Sequence, residues 1–290
     1  MGLFSLQVIN GLTVGMIYGM AALGFTMVYK ALGYLNFSHS DTITIGAILC
    51  FVFVVNMKIP FFLVIPLVMI CMLAYGFIME KVIFSRFRKA DSITFMLVSI
   101  SLSTVVRNTI LLIFGPEHHG MATIFPDRKF YIQGTAIPMS NVYLFLIALL
   151  ILGLLLLFFN RTKFGLAVRL ACEDPTTASM MGIRVSQTRA ATFAITAALG
   201  GVAGMLVSML YTVSVELGSS LALKTFIAAV VGGVGNFVGA VVGGLLVGVV
   251  ESLSTAYISS AYKDAIVFAI GIITLAFFPY GLFRRVKNKL

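Results

Sequence analysis

The sequence predicts an all-α, polytopic bundle of transmembrane helices. Three observations lead there. Of 290 residues, 60% are apolar and 10% are charged, whereas an ordinary soluble domain is about 25% charged. Leu3–Tyr29, Ile59–Met79, Phe130–Asn160, Ala190–Val215, Thr225–Val250 and Ala265–Phe283 contain no Asp, Glu, Lys or Arg. A helix needs roughly 20 apolar residues to cross the hydrocarbon. These runs are also continuous, whereas the strands of a membrane barrel would alternate over about 10 residues. Only helices and closed barrels satisfy their own backbone in lipid.

About nine spans (eight to ten) are expected, at 5–29, 42–57, 60–80, 92–114, 142–159, 189–213, 219–235, 237–258 and 263–283. The first apolar stretch lacks a basic leader and is too long for a signal peptide, so it reads as a retained helix. The second and seventh are short, and a further inserted element fits in 30–41. One uncharged run holds the seventh and eighth, divided at Gly235-Asn236, a turn-favouring pair. The chain reads as a single membrane domain over 1–290, with an outer loop at 115–141 and an inner loop at about 160–188.

Lys and Arg set the expected orientation. Fourteen of the 20 fall on one side: Lys30, Lys81, Arg86, Arg88, Lys89, Arg161, Lys163, Arg169, Arg184, Arg189, Arg284, Arg285, Lys287 and Lys289. Lys58, Arg128, Lys129 and Lys263 fall on the other, while Arg107 and Lys224 lie inside spans. The richer side is expected in the cytoplasm, with the N-terminus outside and the C-terminus inside. Scattered in short clusters between apolar runs, the basic residues record orientation, and a nucleic-acid partner is excluded. Cys50, Cys71 and Cys172 have no metal-ligand spacing, His39 has no second ligand at helical spacing, and His118-His119 reads as a solvated loop pair.

Glycines recur at four-residue steps: Gly11, Gly15, Gly19; Gly200, Gly204; Gly239, Gly243; Gly244, Gly248. Small residues on one face let helix backbones approach closely. Gly232, Gly233 and Gly235 join the expected packing set. Intramembrane charge is costly, about 2.5–3.5 kcal/mol at a helix centre on insertion scales. Arg107 and Glu251 are therefore candidates for a polar pathway, and for pairing with each other. Asn36-Phe37-Ser38-His39-Ser40-Asp41 lies between the first two spans. It reads either as a helix cap or as an inserted polar loop, with Asn36, Ser38 and His39 on the pathway. Gly218–Thr225 imitates a P-loop but has Leu223 where glycine must stand and no preceding strand. No catalytic, metal or nucleotide signature remains, so the chain is expected to be non-catalytic and to bind no cofactor.

Four ordered motifs carry a resemblance. They are Leu35–Asp41 with Gly46-Ala47; Gly165–Arg169 with Cys172–Pro175, Ala178 and Gly182-Ile183; Gly232–Asn236 with Gly239-Ala240 and Gly243-Gly244; and Glu251–Tyr257 with Tyr262–Asp264. Together they resemble permeases of branched-chain amino acid ABC importers across essentially the whole chain, closest to the high-affinity H type. Ser38, Ser40 and Asp41 depart from the usual Ala, Gly and Glu. The resemblance implies a permease in a bacterial inner membrane. It implies a second homologous permease or a second copy as partner, two ATPases that carry ATP and Mg²⁺, and an external substrate-binding protein. It implies ATPase coupling through Glu173, Asp174, Pro175, Ala178, Gly182 and Ile183. The residues suit this: Asp174 or Thr176 can cap a helix over 173–183, Pro175 suits its first turn and Gly182 can end it. Urea, amides and other amino acids remain alternative cargoes. A carrier driven by an ion gradient is the rival class; it would need intramembrane carboxylates, and Glu216 and Glu251 are the only candidates.

Overall fold

A computed structural model describes residues 2–87, 90–121, 125, 129–132, 135–278 and 281–283. Arg88, Lys89, Arg128, Arg284, Arg285, Lys287 and Lys289, used above for orientation, lie outside the described residues. The helices are α1 (Gly2–Leu32), α2 (His39–Phe51), α3 (Phe61–Val82), α4 (Ser92–Phe114), α5 (Met139–Arg161) and α6 (Lys163–Glu173). After them come α7 (Pro175–Met180), α8 (Val185–Val207), α9 (Leu217–Gly232), α10 (Phe237–Tyr257) and α11 (Lys263–Phe277). A small hairpin, β1 (Lys129–Ile132) and β2 (Thr135–Pro138), pairs antiparallel before α5, with Lys129 opposite Pro138. Among the described residues, seven helices are long and apolar enough to cross a membrane. The seventh and ninth expected spans fall on α9 and α11, which have 16 and 15 residues.

The chain divides into two compact units. One comprises 1–26, 125–147 and 223–290. Its helices meet through glycine. A Cβ on Gly11 would lie 2.6 Å from the Val249 Cα, and one on Gly15 would lie 2.8 Å from the Leu245 Cα. Gly244 and Gly248 of α10 meet Gly15 and Gly19 of α1 in return. On another face of α10, Gly239 and Gly243 meet Gly232 of α9. The helix therefore has two glycine faces, each fitted to a different neighbour. Gly233 and Gly235 stand outside these helix faces, although the Gly281 backbone closes on Gly233. Their φ values are +92° and +95°, a region that favours glycine, and they make the turn between α9 and α10. Asn236 then caps α10, its side chain accepting from the Gly239 N–H at 3.1 Å.

The other unit comprises 27–124 and 148–222. Its centre is α8, where Ala, Gly and Thr from Thr188 to Gly204 are almost all buried. Gly46 of α2 sits against Gly201, and Gly204 against the Ile43 carbonyl. Gly76 of α3 faces Ala194 and Ala197. Phe84 stacks between Phe95 and Phe193, with ring centroids 5.2 and 5.1 Å away. The last turn of the second span is π-helical, Val52–Asn56. His119 differs from the solvated loop residue expected. Its backbone bridges to Val213, and its ring packs on Phe51 and Phe114 at 4.9 and 5.3 Å.

Gly15→Leu should overpack the α1–α10 contact, at a cost of about 1–3 kcal/mol. The thermal midpoint of the detergent-solubilised protein should fall. Gly153→Leu is the control, since nothing lies within 4 Å of a Cβ placed there, and its midpoint should hold.

Candidate substrate pathway and coupling segment

Asn36, Ser38 and His39 come together at the start of α2. All three are buried. The Asn36 side-chain oxygen accepts from the Ser38 N–H at 3.1 Å and the Ser38 hydroxyl at 2.9 Å. This local turn competes with the helix and delays its start. Ser38 is the residue before α2, yet its side chain caps nothing; Asn36 has taken its hydroxyl. Beside this turn is a cavity with about 20 Å³ open to the centre of a water molecule. Asn36, Ser38, His39, Thr42, Tyr75 and Thr196 form its polar wall. Val28, Met79, Phe84 and Phe193 form the apolar one. The space suits a single water and excludes an amino acid in this conformation. Gly200 keeps the wall thin: a Cβ there would meet the Thr42 side chain and come 3.3 Å from His39.

Arg107 does not line this cavity. It stands one turn beyond Ser103 on α4 and is partly exposed. Ser103 donates to the buried Asp41 side chain at 2.9 Å. Asp41 is thus a buried polar residue at this site, beyond its place in the sequence as a possible cap and a departure from the family pattern.

Glu251 belongs to the other unit. The expected partner, Arg107, is not the one it has. Lys224 of α9 donates to Glu251 Oε1 at 2.6 Å, and the Tyr18 hydroxyl donates to Oε2 at 2.8 Å. Lys224 also lies 2.7 Å from Asp264 of α11. A lysine inside an apolar helix needed a carboxylate, and Glu251 and Asp264 lie nearer in the fold than in the sequence. The lysine of the P-loop imitation is therefore engaged by acids, inside a helix.

The segment 160–188 holds two helices rather than one. The short helix expected over 173–183 is α7, confined to Pro175–Met180, and Glu173 ends α6 instead of opening α7. Glu173 is described by its backbone alone. Thr162 caps α6 by accepting from the Gly165 N–H at 3.0 Å. Asp174 caps α7, accepting from the N–H groups of Thr176 and Thr177 at 2.9 and 3.1 Å and from the Thr177 hydroxyl. Pro175 occupies the first turn, where its missing N–H costs nothing. Gly182, at φ +80°, closes the helix. Its N–H reaches the Ser179 carbonyl at 3.0 Å, and the Ile183 N–H reaches that of Ala178 at 3.0 Å, the paired bonds of a Schellman end. Ala178 is buried, whereas Met180 and Met181 are 82% and 67% exposed. The capped element presents two bare methionines.

The family model for the branched-chain amino acid transport system permease component matches residues 7–275. The chain belongs to this family. Among curated proteins it is 31% identical to the high-affinity branched-chain amino acid transport system permease protein BraD of Pseudomonas aeruginosa, covering 96% of this chain and 95% of that one. It is 30% identical to the corresponding LivH of Escherichia coli, over 97% and 96%. A probable branched-chain amino acid transport permease of Methanocaldococcus jannaschii is 28% identical, over 90% and 86%. No solved structure matches the chain.

The hydrogen bonds from the Thr177 side chain and backbone hold the Asp174 carboxyl below its usual value of 3.8. A depressed carboxylate stabilises α7 above that value and loses the effect as pH falls through its folded value. Asp174→Ala should therefore speed amide hydrogen exchange at Thr176 and Thr177 at neutral pH by several-fold. Acidification toward pH 3 should narrow the difference from the unaltered protein.

Proposed function

We propose that this chain is the permease subunit of a binding-protein-dependent importer of branched-chain amino acids, driven by separate ATPases. The observation that carries the reading is the near full-length family match, joined to a capped, exposed helix pair in the largest loop of the basic side. A helix fixed at both ends can transmit a push, and a flexible loop cannot. The bare Met180-Met181 pair suits a protein groove, since methionine adapts to apolar contact surfaces. We place α9 and α11 across the membrane with the seven longer helices, which makes nine spans. The N-terminus is then outside and the C-terminus inside, and 1–290 acts as one permease domain.

Two such chains, or this one and a homologue, form the pathway in a bacterial inner membrane. An external binding protein delivers the substrate. The ATPases hold ATP and Mg²⁺; this chain holds neither and catalyses nothing. Asn36, Ser38 and His39 face the substrate when their small cavity opens, and Arg107 supplies charge farther along α4. Glu251 carries no coupling ion in this scheme, because both of its carboxylate oxygens are engaged.

The test is leucine uptake into vesicles holding the chain with its partner permease, ATPases and binding protein. Uptake should require ATP. Met181→Glu should lower it about tenfold at normal membrane abundance, as loss of an interface anchor does. Asn36→Ala and His39→Ala should lower it without reducing abundance. Ion-driven uptake by this chain alone would overturn the proposal.

A further inference from the structure

Lys224 is seven residues into α9, about 10 Å along the helix. Glu251 stands six residues before the end of α10, and Asp264 is the second residue of α11. Lys224, midway along α9, thus meets the last third of α10 and the start of α11, toward the outer side in the orientation proposed above. One lysine faces two carboxylates there, so with all three ionised one negative charge is in excess.

The two partnerships differ in kind. Glu251 is buried and saturated: Lys224 donates to one oxygen at 2.6 Å and Tyr18 to the other at 2.8 Å. Its side chain is 6% exposed, and that of Asp264 is 51% exposed. The Lys224–Asp264 contact is just as short, at 2.7 Å, and the contacting Oδ1 is itself buried, but it lacks hydrogen-bond alignment and the rest of the Asp264 side chain is exposed. Glu251, itself held by Tyr18, therefore keeps the ammonium in place, and the more exposed Asp264 is its displaceable partner.

A displaceable ion pair has the charges of an α-amino acid in reverse. We infer that Lys224 and Asp264 form a zwitterion-recognition pair. The substrate carboxylate takes the Lys224 ammonium, and the substrate ammonium takes the Asp264 carboxylate as the contact between the two opens. One ion pair is broken and two are made, so no charge is left buried without a partner, the costly outcome. A ligand with only a carboxylate leaves Asp264 without a cation, and one with only an ammonium leaves Lys224 with Glu251 alone. Urea and uncharged amides satisfy neither. The inference rests on the amino-acid reading above and locates where that reading gains its selectivity within this chain.

The experiment uses the complete complex of permeases and ATPases in nanodiscs. The binding protein is omitted so that its own selectivity does not enter. Calorimetry follows leucine, leucinamide (ammonium only) and 4-methylpentanoate (carboxylate only). Leucine should bind, and each analogue should bind at least about tenfold more weakly. Asp264→Asn should weaken leucine about tenfold and narrow the gap to 4-methylpentanoate. Lys224→Arg should retain leucine binding, and Asp264→Glu stands in if Asp264→Asn fails to assemble. Equal binding of all three ligands to the unaltered complex would overturn the inference without any variant. So would an Asp264→Asn complex with a lower thermal midpoint and unchanged leucine affinity, since that marks a purely structural pair. A complex that imports leucine with ATP and binding protein, yet binds none without it, would overturn the inference and leave the importer standing. Failure of that import would overturn both.

Discussion

Hydrocarbon cannot hydrogen-bond, and the rest of this structure follows from that constraint. Every backbone group in the bilayer must find a partner within the protein, so the apolar runs are helices. The same constraint governs side chains. Lys224 lies in an apolar helix because Glu251 and Asp264 pair with it and Tyr18 steadies Glu251. Thr13, Thr192 and Thr196 return their hydroxyls to carbonyls of their own helices.

Lipid also removes the usual reason for helices to associate, since tails are as apolar as leucine. Close packing must supply the attraction, and the glycines make it possible. α10 turns Gly244 and Gly248 to one helix and Gly239 and Gly243 to another. α8 does the same with Gly200, Gly201 and Gly204. Backbones that approach this closely have few intermediate positions. A change of shape then moves whole helices, as a transport cycle requires.

Periodicity and charge placement were legible because each is local. The uncharged runs marked the spans, Gly235-Asn236 marked a turn, and Asp174, Pro175 and Gly182 marked a capped helix. Features that depend on distant residues were not legible. Lys224 and Asp264 are 40 positions apart, and no spacing rule joins them. Four-residue glycine spacing does not reveal φ, so Gly233 and Gly235 passed for packing residues. α6 was missed because Lys163, Arg169 and Glu173 made it read as loop, although Gly165, Val168 and Ala171 mark a buried face at helical spacing. The polar turn at Asn36–His39 was visible as a cluster. Its cavity was not, since Tyr75 and Thr196 come from other helices.

In the proposed topology the α7 tip and the Lys224–Asp264 pair lie toward opposite membrane faces. Single-cysteine labelling tests this most directly, in a background with Cys50, Cys71 and Cys172 replaced. Met181→Cys and Tyr262→Cys, both at exposed positions, would be treated with a membrane-impermeant maleimide on intact cells and on inverted vesicles. The account predicts that Tyr262→Cys labels only from outside and Met181→Cys only from inside. Labelling of both from the same face would contradict it.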